Sequence, residues 1–261
     1  MAHPYLGREG VPFDKKVWEM LDKTMVDVAR AQLAGRKFLP LKGPLGLGVT
    51  AVPLATKVFQ DTTMMQNLPL FFIEKTFHLS KPALAQFERE GLTMDVTPLI
   101  RTVTECATLE DKLIFHGLEN QPGLLTSPQS LRFSLNSWEK VGQASLDIIN
   151  AVSLLDEAGF HGPYALALPP SLYNLLLRRY PAGHHTELAH IQEIVQDRVV
   201  KAPILQKGGV LVSVNEAYVS LLLGQDMQIG FLGIDQDGFF FSVSESLGLL
   251  VREPKSICVL E

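Results

Sequence analysis

The chain has 261 residues, 46% of them hydrophobic and 20% charged, with a formal net charge of −5. Such a composition can bury a sizeable core, which excludes general disorder, and the length suits one large domain or two intimate ones. The mild acidity, without a Lys/Arg-rich tail, argues against packaging or tracking nucleic acid, which needs a positive surface. No apolar run approaches the roughly 18–20 residues of a membrane span. The N-terminal MAHPYLGREGVPFDKK lacks the apolar stretch of a secretory signal. Cys106 and Cys258 are the two cysteines, both among apolar neighbours, and read as reduced core residues of a cytoplasmic protein.

In chain order, residues 14–34 predict an amphipathic helix, with Asp14 as N-cap, Val17, Leu21, Met25, Val28 and Leu33 at near-helical spacing, and Gly35 as the stop. Pro40, Gly43, Pro44, Gly46 and Gly48 then exclude regular helix. Residues 49–80 predict an extended hairpin. Val52, Leu54 and Val58 would form its outgoing limb and QDTTMMQN its tip, while Phe71, Ile73, Phe77 and Leu79 recur at period two with Lys75 interrupting. A lone hairpin is at best marginally stable, so this apolar arm should lie on its own core or on a neighbouring molecule.

A second helix is predicted from Asp95 to Phe115, with Pro98 near its first turn and Gly117 past its end. Leu99, Val103, Cys106 and Leu113, beside Ile100, Ala107 and Ile114, give it a broad apolar face. A third runs from about Ser137 to Ala158, carrying Val141, Ala144, Ile148, Val152 and Leu155, with Gly159 as its stop. Tyr164, Leu166 and Leu168 alternate as a strand, and short helices at about 170–179 and 187–198 flank the loop YPAGHHT. From Val199 the pattern is β-rich, with a turn at Gly208-Gly209 and a hairpin signal at Asp237-Gly238. The predicted class is α+β, with long helices in the middle and a sheet closed by the C-terminal strands.

Local motifs supply no active site. His184, His185 and His190 cluster, but they lack the i, i+4 helical pair and positioned carboxylate usual for zinc, so a solvated loop is expected and no metal. GPLGLGV lacks the Lys-Ser/Thr of a phosphate loop and opens no helix, so local backbone geometry explains its glycines. DQDG reads as a hairpin turn, since the remaining calcium ligands are missing. No GxSxG elbow occurs, and Glu88/Glu90 and Glu110/Asp111 fall where solvated faces are expected. The residues alone therefore predict a soluble α+β protein whose apolar arm seeks a partner.

Several longer runs carry more. AQLAGRKFLPLKGPLG after an amphipathic helix, LPLFFIEKTFHL, LEDKLIFHG, HGPYALAL, LLLGQDMQIGF and the stretch from SVSES through REPKSICVLE occur in the order found in encapsulins. Over nearly its whole length the chain resembles this shell-protein family. The resemblance implies the fold of tailed-phage major capsid proteins, with a peripheral domain, an axial domain and an extended hairpin loop. Residues 1–48 would form an N-terminal helix and connection facing the interior, 49–80 the hairpin loop, 81–136 with 226–261 the peripheral domain and its spine helix, and 137–225 the axial domain.

The resemblance further implies self-assembly of about 60 copies, or more, into an icosahedral cytoplasmic nanocompartment. Its partner would be a cargo enzyme, of ferritin-like or peroxidase class, bearing a C-terminal loading peptide. The family's docking groove maps onto Val28, Ala29, Leu33, Arg36 and Phe38, with Ile229 and Phe231. Apolar side chains there would capture aliphatic anchors, and Arg36 would fix a carboxylate or backbone carbonyl. Ala182, Gly183, His184, His185 and Thr186 map onto the axial loop around a fivefold pore. Neither Trp18 nor Trp138 matches the segment beside which some relatives bind flavin, so no cofactor is expected. The alternatives are a phage-type major capsid protein packaging nucleic acid and, with less support, a hydrolase.

Overall fold

The structure, a computed structural model, describes residues 4–261 except Gly10, Pro12, Gln60, Asp61, residues 91–93 and Ala182. The N-terminal part carries α1 (Lys15–Gln32), α2 (Gly35–Phe38), β1 (Leu41–Lys42), β2 (Ala51–Phe59), β3 (Thr62–Pro69), β4 (Phe71–Ser80), α3 (Lys81–Glu90) and α4 (Thr97–Phe115). Next come β5 (Gly117–Leu118), β6 (Gln121–Pro122), β7 (Leu131–Phe133), α5 (Gln143–Glu157), β8 (Tyr164–Leu168), α6 (Pro170–Leu175) and α7 (Glu187–Val195). The remainder is β9 (Gln196–Lys201), β10 (Gly209–Ser213), β11 (Val219–Ile234), β12 (Gly238–Val251) and β13 (Ile257–Leu260).

One compact unit comprises Met1–Leu33, Gly43–Glu110 and Leu223–Leu247. There α1 buries Val17, Leu21 and Met25 as the spacing predicts, with Ala29 buried in place of the half-buried Val28. Asp14 stands at its N-cap without a side-chain capping bond, and its own N–H donates to Glu88 Oε1 at 2.8 Å. β4 runs antiparallel to β12, from Phe71 opposite Leu247 to Ser80 opposite Gly238. Ile73, Phe77 and Leu79 are buried and Phe72, Glu74 and Thr76 exposed, so the period-two pattern became one buried sheet face. The hairpin proper is therefore shorter than 49–80. β2 and β3 pair from Ala51 opposite Pro69 to Phe59 opposite Thr62, and no third strand joins them among the described residues. TTMMQN belongs to the returning strand, and Phe71–Ser80 leaves the ribbon because β12 offers its apolar row a buried face.

In the same unit, α4 begins two residues later than expected because Asp95 caps it, accepting the Thr97 N–H at 2.9 Å. Gly43, Gly46 and Gly48 have φ of 121°, 120° and 93°, which only glycine adopts readily, so the glycines do serve the backbone. The Leu45 and Gly46 N–H groups donate to the carbonyls of Leu223 and Gly224.

The other unit comprises Ala34–Lys42, Asp111–Leu222 and Gly248–Glu261. Its five-stranded sheet has the order β7-β13-β10-β8-β9, with β8–β9 and β13–β7 parallel and the other pairs antiparallel. All five residues of β8 are buried, since a central strand is covered on both faces, so simple alternation understated its burial. α5 packs Ala144, Ile148, Ala151 and Leu155 into a core with Leu166, Leu168, Ile191 and Leu211. It starts at Gln143 rather than Ser137, after Gly142 at φ 100°. Residues 137–142 instead form a loop held by the Trp138 indole N–H, which donates to Asp147 Oδ2 at 2.9 Å.

Two further expectations fail here for one reason. Gly35 does not stop α1 but lies in α2, where an added Cβ would collide with the Ile114 side chain. Asp111, placed by the sequence on a solvated face, is 4% exposed and accepts the Ala34 and Gly35 N–H groups at 3.0 and 2.8 Å. Its carboxylate satisfies the first turn of α2, a role that sequence spacing across 76 residues does not reveal. Glu110 is likewise buried, at 0% exposure.

Candidate functional site

The segment before α1 is clamped in place. Arg8 donates bidentately to Asp22 at 2.7 and 2.6 Å, donates through Nε to the Ile229 carbonyl at 2.7 Å, and lies 4.3 Å above the Trp18 ring. Planar charge-assisted pairing with cation–π stacking is what arginine, unlike lysine, can combine at one spot. Phe231 sits in a ring cluster with Phe13, Phe239 and Phe241, at centroid distances of 5.6, 6.5 and 5.7 Å. Arg8, Phe13 and Trp18 were missed from the sequence; the available signal was a Phe and a Trp bracketing the Asp14 cap.

Of the expected groove residues in this unit, Val28 and Phe231 are half-buried, while Ala29, Leu33 and Ile229 are buried. The structure brings Phe231 and Ile229 together with the segment leading into α1. Val28, Ala29 and Leu33 lie at the C-terminal end of α1. In the other unit, Arg36 is half-buried on α2, and Phe38 is fully buried with its ring 5.9 Å from that of Phe115.

The histidine loop is tightly organised at its root. Arg179 and Thr186 form a β-bridge, the Tyr180 N–H donates to the His185 carbonyl, and the Gly183 N–H donates to the Tyr180 carbonyl. Thr186 caps α7, its Oγ1 accepting the Ala189 N–H at 3.2 Å. Gly183, His184 and His185 are exposed; Ala182 lies outside the described residues. His190 does not converge with them but lies 2.8 Å through Nδ1 from the Tyr180 hydroxyl.

The reactive groups elsewhere are quenched. Burial pushes both thiols up to about 12, with Glu245 adding to the effect at Cys106, so neither is an available nucleophile at neutral pH. A cleft of about 490 Å³ is lined by His116, Arg132, Lys207 and Glu261 among others, and the Arg132–Glu261 ion pair neutralises charge within it. Asp156 accepts from the Tyr164 hydroxyl at 2.5 Å and approaches His161 Nδ1 at 2.7 Å, contacts that hold its carboxyl below the usual range.

Comparison with known proteins agrees with a shell role. The family model described as an encapsulating protein for peroxidase matches residues 3–248. A type 1 encapsulin shell protein from Myxococcus xanthus is 31% identical over 278 residues, covering 98% of this chain and 96% of that protein. Another, from Brevibacterium linens, is 25% identical over 258 residues, covering 96% and 97%. In three dimensions the chain is similar to the virus-like particle of Pyrococcus furiosus, with a TM-score of 0.77, 21% identity and coverage of 94% and 99%. It is also similar to the capsid of Myoviridae phage XM1, with a TM-score of 0.59, 12% identity and coverage of 86% and 90%. The fold is thus the capsid fold of tailed phages, and the match along nearly the whole chain is to shell proteins. The chain belongs to the encapsulin family of shell proteins.

Proposed function

We propose that copies of this chain close into an icosahedral compartment of about 60 subunits around a cargo enzyme carrying a short C-terminal loading peptide. The observation that carries this reading is the 31% identity to a shell protein across 98% of the chain. A physical argument supports it: β2 and β3 pair with each other alone among the described residues, and such a ribbon gains stability by lying on a neighbour. In this reading Ala51–Pro69 is the extended loop, α4 the spine helix, residues 137–225 the axial domain, and 81–136 with 226–261 the peripheral domain.

Within this scheme, the exposed parts of Val28 and Phe231 receive the peptide's aliphatic anchors, while Ala29, Leu33 and Ile229 support them from within the same unit. Arg36 fixes a carboxylate or backbone carbonyl, and Phe38 holds the segment that carries it. The loop Gly183–Thr186 lines a fivefold pore, where copies of the exposed His184 and His185 form a ring. A peroxidase or ferritin-like enzyme fits as cargo: the family model's description names peroxidase, and a relative in Pyrococcus furiosus is a ferritin-like–encapsulin shell fusion.

Size-exclusion chromatography with negative-stain microscopy tests the assembly. Uniform hollow particles are expected. A discrete monomer or dimer at high concentration overturns the reading, and particles filled with nucleic acid favour a phage-type capsid instead. Co-expression with a peptide-tagged enzyme tests docking: Val28→Asp or Phe231→Ala should leave particles intact and empty.

A further inference from the structure

The root of the histidine loop contains a chain of side chains whose protons can be counted. His190 Nδ1 lies 2.8 Å from the Tyr180 hydroxyl, which lies 2.9 Å from Ser145 Oγ, which donates to the Gly142 carbonyl at 2.9 Å. With the single serine proton donated to the Gly142 carbonyl, Tyr180 donates to Ser145 Oγ and His190 donates from Nδ1. The buried Glu187 carboxylate accepts the Ser145 N–H at 3.0 Å and the Gly142 N–H at 2.9 Å, fixing the start of α5 against α7.

Two backbone hydrogen bonds of the loop tip also meet at Tyr180, whose N–H donates to the His185 carbonyl and whose carbonyl accepts the Gly183 N–H. Holding this one side chain therefore holds the tip. We propose that Tyr180 is the positioning residue of the Gly183–Thr186 tip and that it acts through a His190 carrying a proton on Nδ1. Two helices thereby set the tip, α5 through Ser145 and α7 through His190. The His184 and His185 side chains are exposed on the tip, and His185 contributes to the anchor through its carbonyl. The anchor itself follows from this geometry; that it governs passage of small solutes rests on the pore-loop reading above.

The test uses assembled particles. Tyr180→Phe removes one hydroxyl and keeps the ring, so hydrogen exchange of the peptide spanning 178–187 should accelerate about 3- to 10-fold, with β8 peptides unchanged. His190→Leu should do the same. His190→Asn, whose amide nitrogen takes the place of Nδ1, should restore slow exchange where a merely space-filling role would not. The ¹⁵N spectrum of His190 above pH 8 should show a protonated Nδ1 and a bare Nε2, a preference lost in Tyr180→Phe. A bare Nδ1 in the unmodified protein, or unchanged exchange in both Tyr180→Phe and His190→Leu, overturns the proposal. Small-solute entry measured on the same particles separates the two ideas: faster exchange with unchanged entry retains the anchor and overturns the pore-loop reading.

Discussion

Asp147 organises the approach to α5 by accepting from the Asn136 N–H and Nδ2, the Trp138 Nε1 and the Gln143 Nε2 at 2.7–3.0 Å. Burial acts to raise its pKa, but these donors prevail and hold the carboxyl below the ordinary carboxylate range. A group depressed on folding contributes stability above its unfolded value of about 3.9 and loses that contribution as pH falls through the folded value. Asp147→Asn should therefore cost about 1–3 kcal/mol at neutral pH, read as a lower urea midpoint, and the gap to the unmodified protein should narrow on acidification toward pH 3. Sequence alone could not find this residue or Asp111. Both are acids in helices, and their donors include Asn136, 11 residues from Asp147, and Gly35, 76 residues from Asp111.

At the scale of elements, α1 and α4 were legible because each apolar stripe continues for four or more turns and has a clear boundary residue. The break into α2 was not, because Gly35 meets the usual description of a helix stop. Its actual constraint is the Ile114 side chain, so Gly35→Ala should force repacking at a cost of about 1–3 kcal/mol, measured as a lower melting temperature. Gly224 is a point of close approach to Ser246 and Leu70 within the continuous strand β11. The seating of α1 depends on Trp18, which joins the Phe13 ring at 5.9 Å and the Arg8 guanidinium at 4.3 Å. Trp18→Ala should destabilise this unit by about 3 kcal/mol and expose the chain before residue 15 to limited proteolysis, seen as early cleavage at Tyr5 or Arg8.

For the whole molecule, the decisive quantity is surface left for other copies. Replacing Ala51–Pro69 by a short Gly/Ser linker should leave both units folded, by circular dichroism, but abolish particles in chromatography and micrographs. Retained particles of normal size would show that the arm is dispensable.

The amino-acid sequence by itself determined the α+β class, the long helices, the apolar arm and, through ordered family motifs, the shell-protein reading. Those features depend on periodicity and on residue order, both of which are local. Tertiary structure decided the rest: where the hairpin ends, which acids are buried, how Arg8 and Trp18 seat α1, and how Tyr180 ties a loop to two helices. Each depends on a partner distant in the chain, and no spacing rule encodes which donor will face which acceptor once the backbone has folded.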